Sequence, residues 1–141
     1  MRRGLIMFSV VAIGVFLTAM SASAAGKPSS SSISLVMIQA IGSTTTATAT
    51  SGPRYGDQVS FAVTTDRTAR PWVDTKCSQN GQTVYEQWAG FFDSYLGGQI
   101  FSLGPTQLWT GGAASCTATL VSFDKNGRPQ QLASTSFNVA G

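Results

Sequence analysis

Apolar and polar side chains alternate along several short segments of this chain, a pattern typical of strands with one buried face. The clearest case is residues 58–65, whose apolar positions are Val59, Phe61 and Val63. Two further β-prone runs cover residues 33–41 and 44–50. Turn residues recur at roughly 8–12-residue intervals and no helical period is present beyond residue 24, so the pattern predicts an all-β sandwich of about seven or eight strands.

The dipeptide Asn80-Gly81 predicts a β-hairpin with a two-residue type I′ turn, which fixes the pairing of its strands. The predicted pairs are Val73 with Trp88, Cys77 with Val84, Lys76 with Tyr85, and Thr75 with Glu86. This register places Cys77 on an apolar inward face and Lys76 on the outward face. Glu86 is then expected to point inward.

The dipeptide Asn126-Gly127 predicts a second hairpin of the same kind. The predicted pairs are Ala114 with Val139, Cys116 with Phe137, Ala118 with Thr135, Leu120 with Ala133, and Val121 with Leu132. Cys116 therefore also lies on an inward, apolar face. Two independent registers thus place both cysteines inward.

The N-terminal segment has the features of a secretory signal peptide. Arg2 and Arg3 precede an apolar run over residues 5–20, and the small residues Ala22-Ser23-Ala24 follow it. The run is shorter than the roughly 20 residues that a membrane-spanning helix needs. We therefore expect cleavage after residue 24, a flexible Ser-rich leader over 25–32, and one secreted domain over 33–141 that is not held in the membrane and can reside at the cell surface.

Charge and histidine content exclude several functions. The formal net charge is +3, and loss of Arg2 and Arg3 reduces it to +1. A nearly neutral surface does not provide the many phosphate contacts of a nucleic-acid-binding protein. The chain has no histidine, so it lacks Ser-His-Asp and Cys-His catalytic groups and the commonest metal ligand. We expect no metal and no cofactor.

The chain contains two cysteines, Cys77 and Cys116. In an oxidising compartment an even pair favours a disulfide over a metal site or a nucleophile, and their spacing is unlike that of a zinc site. A bridge that closes a loop of about 40 residues contributes roughly 4 kcal/mol in the chain-entropy model. The sequence therefore predicts one stabilising disulfide.

The pattern resembles the immunoglobulin-like sandwiches of secreted bacterial proteins, particularly actinobacterial ones. The matching stretches are residues 56–61, 71–77, 80–81, 109–118, and the final hairpin that ends at Phe137 and Val139. The resemblance implies a two-sheet antiparallel sandwich with a disulfide, but no activity. Antibody domains differ, because strand 58–65 has no cysteine and Ala114 stands where the tyrosine corner would be. Trp72, five positions before Cys77, is expected on the face opposite the disulfide.

The segment 89–98 is the candidate binding loop, since it contains Phe91, Phe92 and Tyr95 between glycines. These aromatics either stack on a ligand or fold back as a lid over the core, in which case Phe91, Phe92 and Leu96 are buried and Tyr95 stays exposed. The lid is the favoured interpretation. Tyr85 and Trp109 are the other aromatics considered for binding.

The expected function is a monomeric, non-catalytic, immunoglobulin-like module that binds an extracellular protein or surface partner through its end loops or an exposed sheet face. The alternative is a carbohydrate-binding module that uses loop 89–98 with Tyr85 or Trp109. A small hydrolase is third. It would need a pair of carboxylates, with Glu86 as the most unusual acid, or a serine activated by Lys76.

Overall fold

Two antiparallel β-sheets packed face to face account for the regular structure. The computed structural model describes residues 30–38 and 52–141, which contain seven strands and no helix. The strands are β1 (Ser31–Met37), β2 (Gln58–Thr65), β3 (Trp72–Gln79), β4 (Gln82–Gly90), β5 (Phe101–Ser102), β6 (Ala114–Phe123) and β7 (Pro129–Val139). The signal peptide, residues 25–29 of the leader and the strand predicted over 44–50 lie outside the described residues.

The strand order is β1-β2-β5 in one sheet and β4-β3-β6-β7 in the other. Strands β1 and β7 lie beside each other, and main-chain hydrogen bonds join Ala140 to Pro53 and Tyr55. The expected all-β, two-sheet sandwich is confirmed. Within residues 30–38 and 52–141, no helix is long and apolar enough to cross a membrane.

Strand β2 has the bounds that its alternating pattern predicts. Val59 and Phe61 are buried, whereas Ala62 between Phe61 and Val63 is exposed. Strand β1 begins at Ser31, two residues before the predicted run, and ends at Met37, whereas residues 39–41 of that run lie outside the described residues. The two strands form an antiparallel ladder in which their apolar positions share one face.

The core lies between the sheets and extends into the irregular segment between β5 and β6. Its largest fully buried side chains are Trp109, Phe101, Leu103, Leu120, Val59 and Val73. Trp109 is fixed by hydrogen bonds, because its indole N–H donates to the Gly112 carbonyl at 3.1 Å and its own carbonyl accepts from the Tyr55 hydroxyl at 3.1 Å. A tryptophan in a loop thus becomes a central core residue.

The turn of the first hairpin is as predicted, but most of its pairing is not. Asn80 and Gly81 both have positive φ, 50° and 80°, as a type I′ turn requires. A β-bulge then makes Val84 an extra residue in β4. Beyond it the observed pairs are Cys77 with Tyr85, Lys76 with Glu86, Thr75 with Gln87, Asp74 with Trp88, and Val73 with Ala89.

This bulge corrects three side-chain orientations. Tyr85 is buried, whereas Glu86 and Trp88 are on the outward face, opposite Lys76 and Asp74. The prediction that Glu86 points inward is therefore wrong. Cys77 remains inward because the extra residue is in β4 and leaves the alternation of β3 unchanged.

The second hairpin has a different turn from the predicted one but the predicted pairing around Cys116. Its loop has three residues, 125–127, in which Gly127 has φ 74° and its N–H donates to the Asp124 carbonyl. A bulge at Leu132 then shifts the register again, so Val121 pairs with Gln131 rather than with Leu132. The three-residue turn and the bulge shift the register in opposite directions, so their effects cancel. The four predicted pairs from Leu120–Ala133 to Ala114–Val139 are therefore all confirmed.

The disulfide joins Cys77 and Cys116, as expected. These residues are direct partners on the adjacent strands β3 and β6, with their Cα atoms 4.0 Å apart. The bridge therefore lies within the four-stranded sheet and does not connect the two sheets. Both cysteines are buried on the inner face of that sheet.

Candidate functional site

A cluster of aromatic rings covers one end of the outer face of the four-stranded sheet. We call it the aromatic patch, and its members are Trp72, Trp88, Phe92, Tyr95 and Phe123. Ring centroids within it are 5.3–6.3 Å apart, and most of the pairs meet edge to face. That geometry is the one aromatic rings prefer.

Strand alternation places three members of the patch outside the core. Trp72 precedes the fully buried Val73, so it projects to the opposite face of β3, as expected. Trp88 projects outward because of the bulge in β4, and Phe123 lies at the outer end of β6 with 46% of its surface exposed. Trp72 is the direct partner of Val121, which is buried although it is on the outer face. The patch therefore shields part of the outer sheet surface.

The loop after β4 contributes the other two rings. Tyr95 packs against Trp72 at 5.3 Å, and Phe92 packs against both Trp72 and Tyr95 at 5.7 Å. The Arg70 guanidinium lies 5.6 Å from the centre of the Phe92 ring. Such an arrangement is a cation–π contact. The rim of the patch thus combines aromatic surface with a cation.

Two glycines make this arrangement of the loop possible. A Cβ atom at Gly90 would lie 2.5 Å from the Phe92 ring and 2.8 Å from the Tyr95 ring, and one at Gly97 would overlap the Tyr95 ring. The glycines noted at the ends of the loop are therefore needed for close approach of the rings. They fix the position of Tyr95 over the end of β4.

The lid expected over the core forms only in part. Phe91 stacks on the buried Phe101 with ring centroids 6.4 Å apart, so it does cover the core. Phe92 packs on Trp72 instead, and Leu96 is fully exposed, so the expectation that these two close the core is wrong. Tyr95 is half-buried rather than exposed.

Tyr85 and Trp109, considered as binding residues, are core residues. Trp109 is 0% exposed, and Tyr85 packs against it with ring centroids 6.1 Å apart. The Tyr85 hydroxyl donates to Gln87 Oε1 at 2.7 Å, and burial raises the pKa of Tyr85 to about 12. Neither ring is available at the surface, which removes both from the candidate site.

A strip of charged side chains continues from the patch along the outer face. Lys76 Nζ lies 3.1 Å from Asp74 Oδ2 and 3.4 Å from Glu86 Oε1, and the Trp88 indole N–H donates to the same Glu86 oxygen at 3.1 Å. Hydrogen bonding to Asp74 raises the pKa of Lys76, so this amine stays protonated. A protonated lysine held between two carboxylates does not act as a general base for serine.

Asp74 is unusual among these groups because its side chain is only 10% exposed. Burial raises the pKa of Asp74, while the hydrogen bond and the charge of Lys76 oppose the shift. Its Oδ1 atom is buried without a hydrogen-bond partner among the described residues. No group of three or more potential metal ligands occurs within that part of the chain.

Sequence reasoning missed the three strand residues of the patch, Trp72, Trp88 and Phe123, as binding candidates. For Trp72 a signal was present, since its odd offset from Cys77 already placed it on the outer face. Trp88 was assigned inward because a bulge has no clear mark in the sequence. Phe123 was not considered, although the alternation of β6 places it on the same outward face as Val121.

Comparison with known proteins gives no relative: no family model, no curated protein and no solved structure matches this chain.

Proposed function

We propose that this chain is a secreted binding module whose contact surface is the aromatic patch and whose partner is a protein. The observation that carries the proposal is the continuous cluster of five aromatic rings at the outer face of the four-stranded sheet, of which Phe123 is exposed and the other four are half-buried. In a two-sheet sandwich the inner faces form the core, and the outward positions are ordinarily polar. An apolar cluster on the outer face therefore favours a role in contact with another molecule.

The composition of the patch favours a protein partner. Tryptophan, tyrosine and arginine dominate the energetically important residues of protein interfaces. The patch has Trp72, Trp88 and Tyr95, and Arg70 stands at its rim. Charged residues at the edge, such as Lys76 and Glu86, match the polar rim that surrounds such contacts.

Secretion and the lack of catalysis are parts of the same proposal. The disulfide between Cys77 and Cys116 fits an oxidising compartment, as does the signal-like N-terminal sequence. Lys76 is bound to two carboxylates, and Asp74 is largely withdrawn from solvent. These contacts argue against the small-hydrolase interpretation, which needs an available base or a pair of accessible carboxylates.

Carbohydrate binding is the second candidate, and one feature favours it. The Trp88 ring lies next to hydrogen-bonding groups of Glu86 and Lys76, a combination of apolar surface with a few polar groups that suits a small polar ligand. This version uses the strand residues of the patch with Phe92 and Tyr95. Tyr85 and Trp109 no longer contribute.

The experiment compares binding of the wild-type protein with Trp88→Ala and Phe123→Ala variants. Thr117→Ala is the matched control, because Thr117 is exposed on the same outer face but lies away from the patch. We expect saturable binding to an extracellular protein that both patch variants weaken at least about tenfold, the loss of a typical interface anchor. The control should bind like the wild type.

Two results would separate the candidates. Binding to isolated glycans that the patch variants lose would replace the protein partner with a carbohydrate. Equal binding by all variants to every target would contradict the proposal that the aromatic patch is the contact surface.

A further inference from the structure

The central strand of the three-stranded sheet is paired along its length on one side only. Strand β2 pairs with β1 from Val59 to Thr65. On its other side it pairs with β5 only at Gln58 and Val59, because β5 is two residues long. From Phe61 to Thr65, this side of β2 has no partner strand among the described residues.

The main-chain groups that this edge presents follow from the hydrogen bonds at its start. Ile38 N–H donates to the Gln58 carbonyl at 3.1 Å, so Gln58 faces the β1 side. The Asp57 carbonyl accepts from Leu103 N–H at 2.9 Å and so faces the β5 side. Backbone groups alternate between the two sides along a strand. The residues whose N–H and C=O face the unpaired edge are therefore Phe61, Val63 and Thr65.

A groove lies next to this edge. It is open, has a volume of about 590 Å³, and is lined chiefly by Phe61, Val63, Phe91, Phe92, Asp93 and Tyr95. Its far wall is the loop after β4, which is tied to β2 because Ser60 Oγ donates to the Gln99 carbonyl at 2.8 Å. The Gln99 side chain in turn donates to the Gly90 carbonyl at 3.2 Å. The volume is within the range of natural ligand sites.

We propose that an extended segment of a protein partner binds in this groove and adds to the β2 edge as a further strand. An exposed sheet edge is a template for another strand, and its regularly spaced N–H and C=O groups match the main chain of an extended peptide. The unpaired edge is five residues long, which corresponds to roughly 17 Å of strand at about 3.3 Å per residue. A segment of about five residues fills it.

The lining of the groove defines the chemistry of the segment. The surface that the groove exposes is chiefly polar and Phe61 itself is buried, so the segment is held mainly by the main-chain groups of β2. Asp93 is the charged side chain of the lining, and it forms no ion pair with another described residue. The segment therefore carries a lysine or an arginine near Asp93.

This inference goes beyond the proposed function because the site is on the other sheet. Phe92 and Tyr95 contribute to both surfaces, but Phe61, Val63 and Asp93 belong to the groove alone. Trp88 and Phe123 belong to the aromatic patch alone. Variants of these two sets therefore test the two proposals separately.

The experiment selects linear peptides from a random display library on the full mature protein. We expect the selected peptides to bind in an extended form and to contain lysine or arginine. Their binding should slow hydrogen exchange of the Phe61, Val63 and Thr65 amides at least about tenfold, since these amides gain hydrogen bonds. Asp93→Asn should weaken binding roughly two- to fivefold, the effect of an exposed ion pair.

The matched variants are Val63→Pro and Val63→Thr. Proline removes the N–H that faces the groove, whereas threonine keeps the amide and the branched shape. We expect Val63→Pro to lose peptide binding at least about tenfold, since it removes a main-chain hydrogen bond and blocks close approach, and Val63→Thr to retain it. If Val63→Pro fails to fold, the selected peptide is N-methylated instead: methylation of the amides that face β2 should abolish binding, and methylation of the intervening amides should not.

Three results overturn the proposal. The first is a library that yields no binder. The second is a set of peptides that slow hydrogen exchange only of amides outside β2, or that bind Val63→Pro but not Trp88→Ala. The third is protection of the β2 edge without peptide, together with dimers in light scattering, which would make a second copy of this chain the occupant.

Discussion

The ring of Tyr95 occupies space that exists because two neighbouring residues have no side chain. It packs edge to face on Trp72 at 5.3 Å and lies over Gly90 and Gly97. The position of one residue of the candidate surface is therefore determined by backbone atoms of its own loop. This makes the loop sensitive to the addition of a single methyl group.

We predict that Gly90→Ala destabilises the protein by about 1–3 kcal/mol, the usual cost of overpacking. The added Cβ would lie 2.5 Å from the Phe92 ring and 2.8 Å from the Tyr95 ring, so both rings must shift from their present positions. Urea unfolding measures the free energy, and near-ultraviolet circular dichroism reports the ring contacts.

Gly98→Ala is the matched control for that substitution. Its Cβ would meet no atom closer than 3.9 Å, so its stability and its spectrum should stay close to those of the wild type. Equal effects of the two substitutions would mean that Gly90 is not needed for close approach of the rings.

Tyr85 leads to a prediction about high pH. Burial raises its pKa from 10.0 to about 12 in the folded state. Below pH 10 the phenol is neutral in both states and has no effect on the pH dependence. Above that pH the unfolded chain loses the proton first, so stability should fall as pH rises from about 10 to 12.

The measurement compares the free energy of unfolding of the wild type and Tyr85→Phe across this range. Below pH 10 the two should differ by a constant amount, because the variant lacks the hydrogen bond to Gln87. Between pH 10 and 12 the free energy of unfolding of the wild type should fall by roughly 2 kcal/mol more than that of the variant. Parallel curves across the whole range would contradict the buried position of this hydroxyl.

At the scale of elements, the two hairpins show what the sequence could and could not predict. The alternation in β2 was sufficient to predict its bounds. Both cysteines are inward as the two hairpin registers predicted, although Cys77 pairs with Tyr85 and not with Val84. The bulges at Val84 and Leu132 were not predictable, because an extra residue costs little locally and has no distinct composition. The bulge at Val84 reversed the orientations of Tyr85, Glu86 and Trp88.

Irregular segments were the other limit of prediction. Trp109 was treated as a surface candidate, but it is the largest buried residue, held by hydrogen bonds to Gly112 and from Tyr55. These partners are brought together by tertiary packing and not by a local pattern. The aromatic patch was missed for the same reason, since Trp72, Trp88 and Phe123 are on three separate strands.

The turns of the two hairpins give a prediction at this scale. Gly81 and Gly127 have φ of 80° and 74°, which an L-residue adopts at a cost of about 1–2 kcal/mol. Gly81→Ala and Gly127→Ala should each destabilise the protein by about that amount, although a Cβ at either position meets no atom within 4 Å. Thermal unfolding of these variants beside Gly98→Ala measures the cost. No loss in either variant would contradict the left-handed conformation of the turns.

At the scale of the whole molecule, the disulfide stabilises the fold chiefly by restricting the unfolded chain, because in the folded state it joins two strands that are already paired. It joins neighbouring strands of one sheet over a sequence separation of 39 residues. The Cys77→Ala/Cys116→Ala double variant should therefore lose roughly 4 kcal/mol of unfolding free energy. The intact wild type should also weigh about 2 Da less than the reduced protein, because bond formation removes two thiol hydrogens.

Denaturant unfolding of the double variant and of the wild type measures this loss. A difference below about 1 kcal/mol would show that chain entropy is not the main contribution of the bond. Recovery of two alkylatable thiols without reduction would show that the bond is absent.

The molecule as a whole carries two candidate contact regions that meet at one end. The aromatic patch covers the outer face of the four-stranded sheet, and the groove runs along β2 in the other sheet, with Phe92 and Tyr95 between them. The loops after β2, β4 and β6 all lie at this end, since β3 begins there opposite Gly90 and Val121. Both candidate contact regions thus lie at the end of the molecule where these loops meet.

The most direct test of the aromatic patch uses the three tryptophan indole N–H signals in a two-dimensional NMR spectrum. A protein that binds the wild type in the comparison with Trp88→Ala and Phe123→Ala is titrated into the labelled protein. The indole signals of Trp72 and Trp88 should shift or broaden on binding. The signal of the buried Trp109 serves as the internal reference and should not change. A saturable interaction that leaves Trp72 and Trp88 unchanged would contradict the proposal that the aromatic patch is the contact surface.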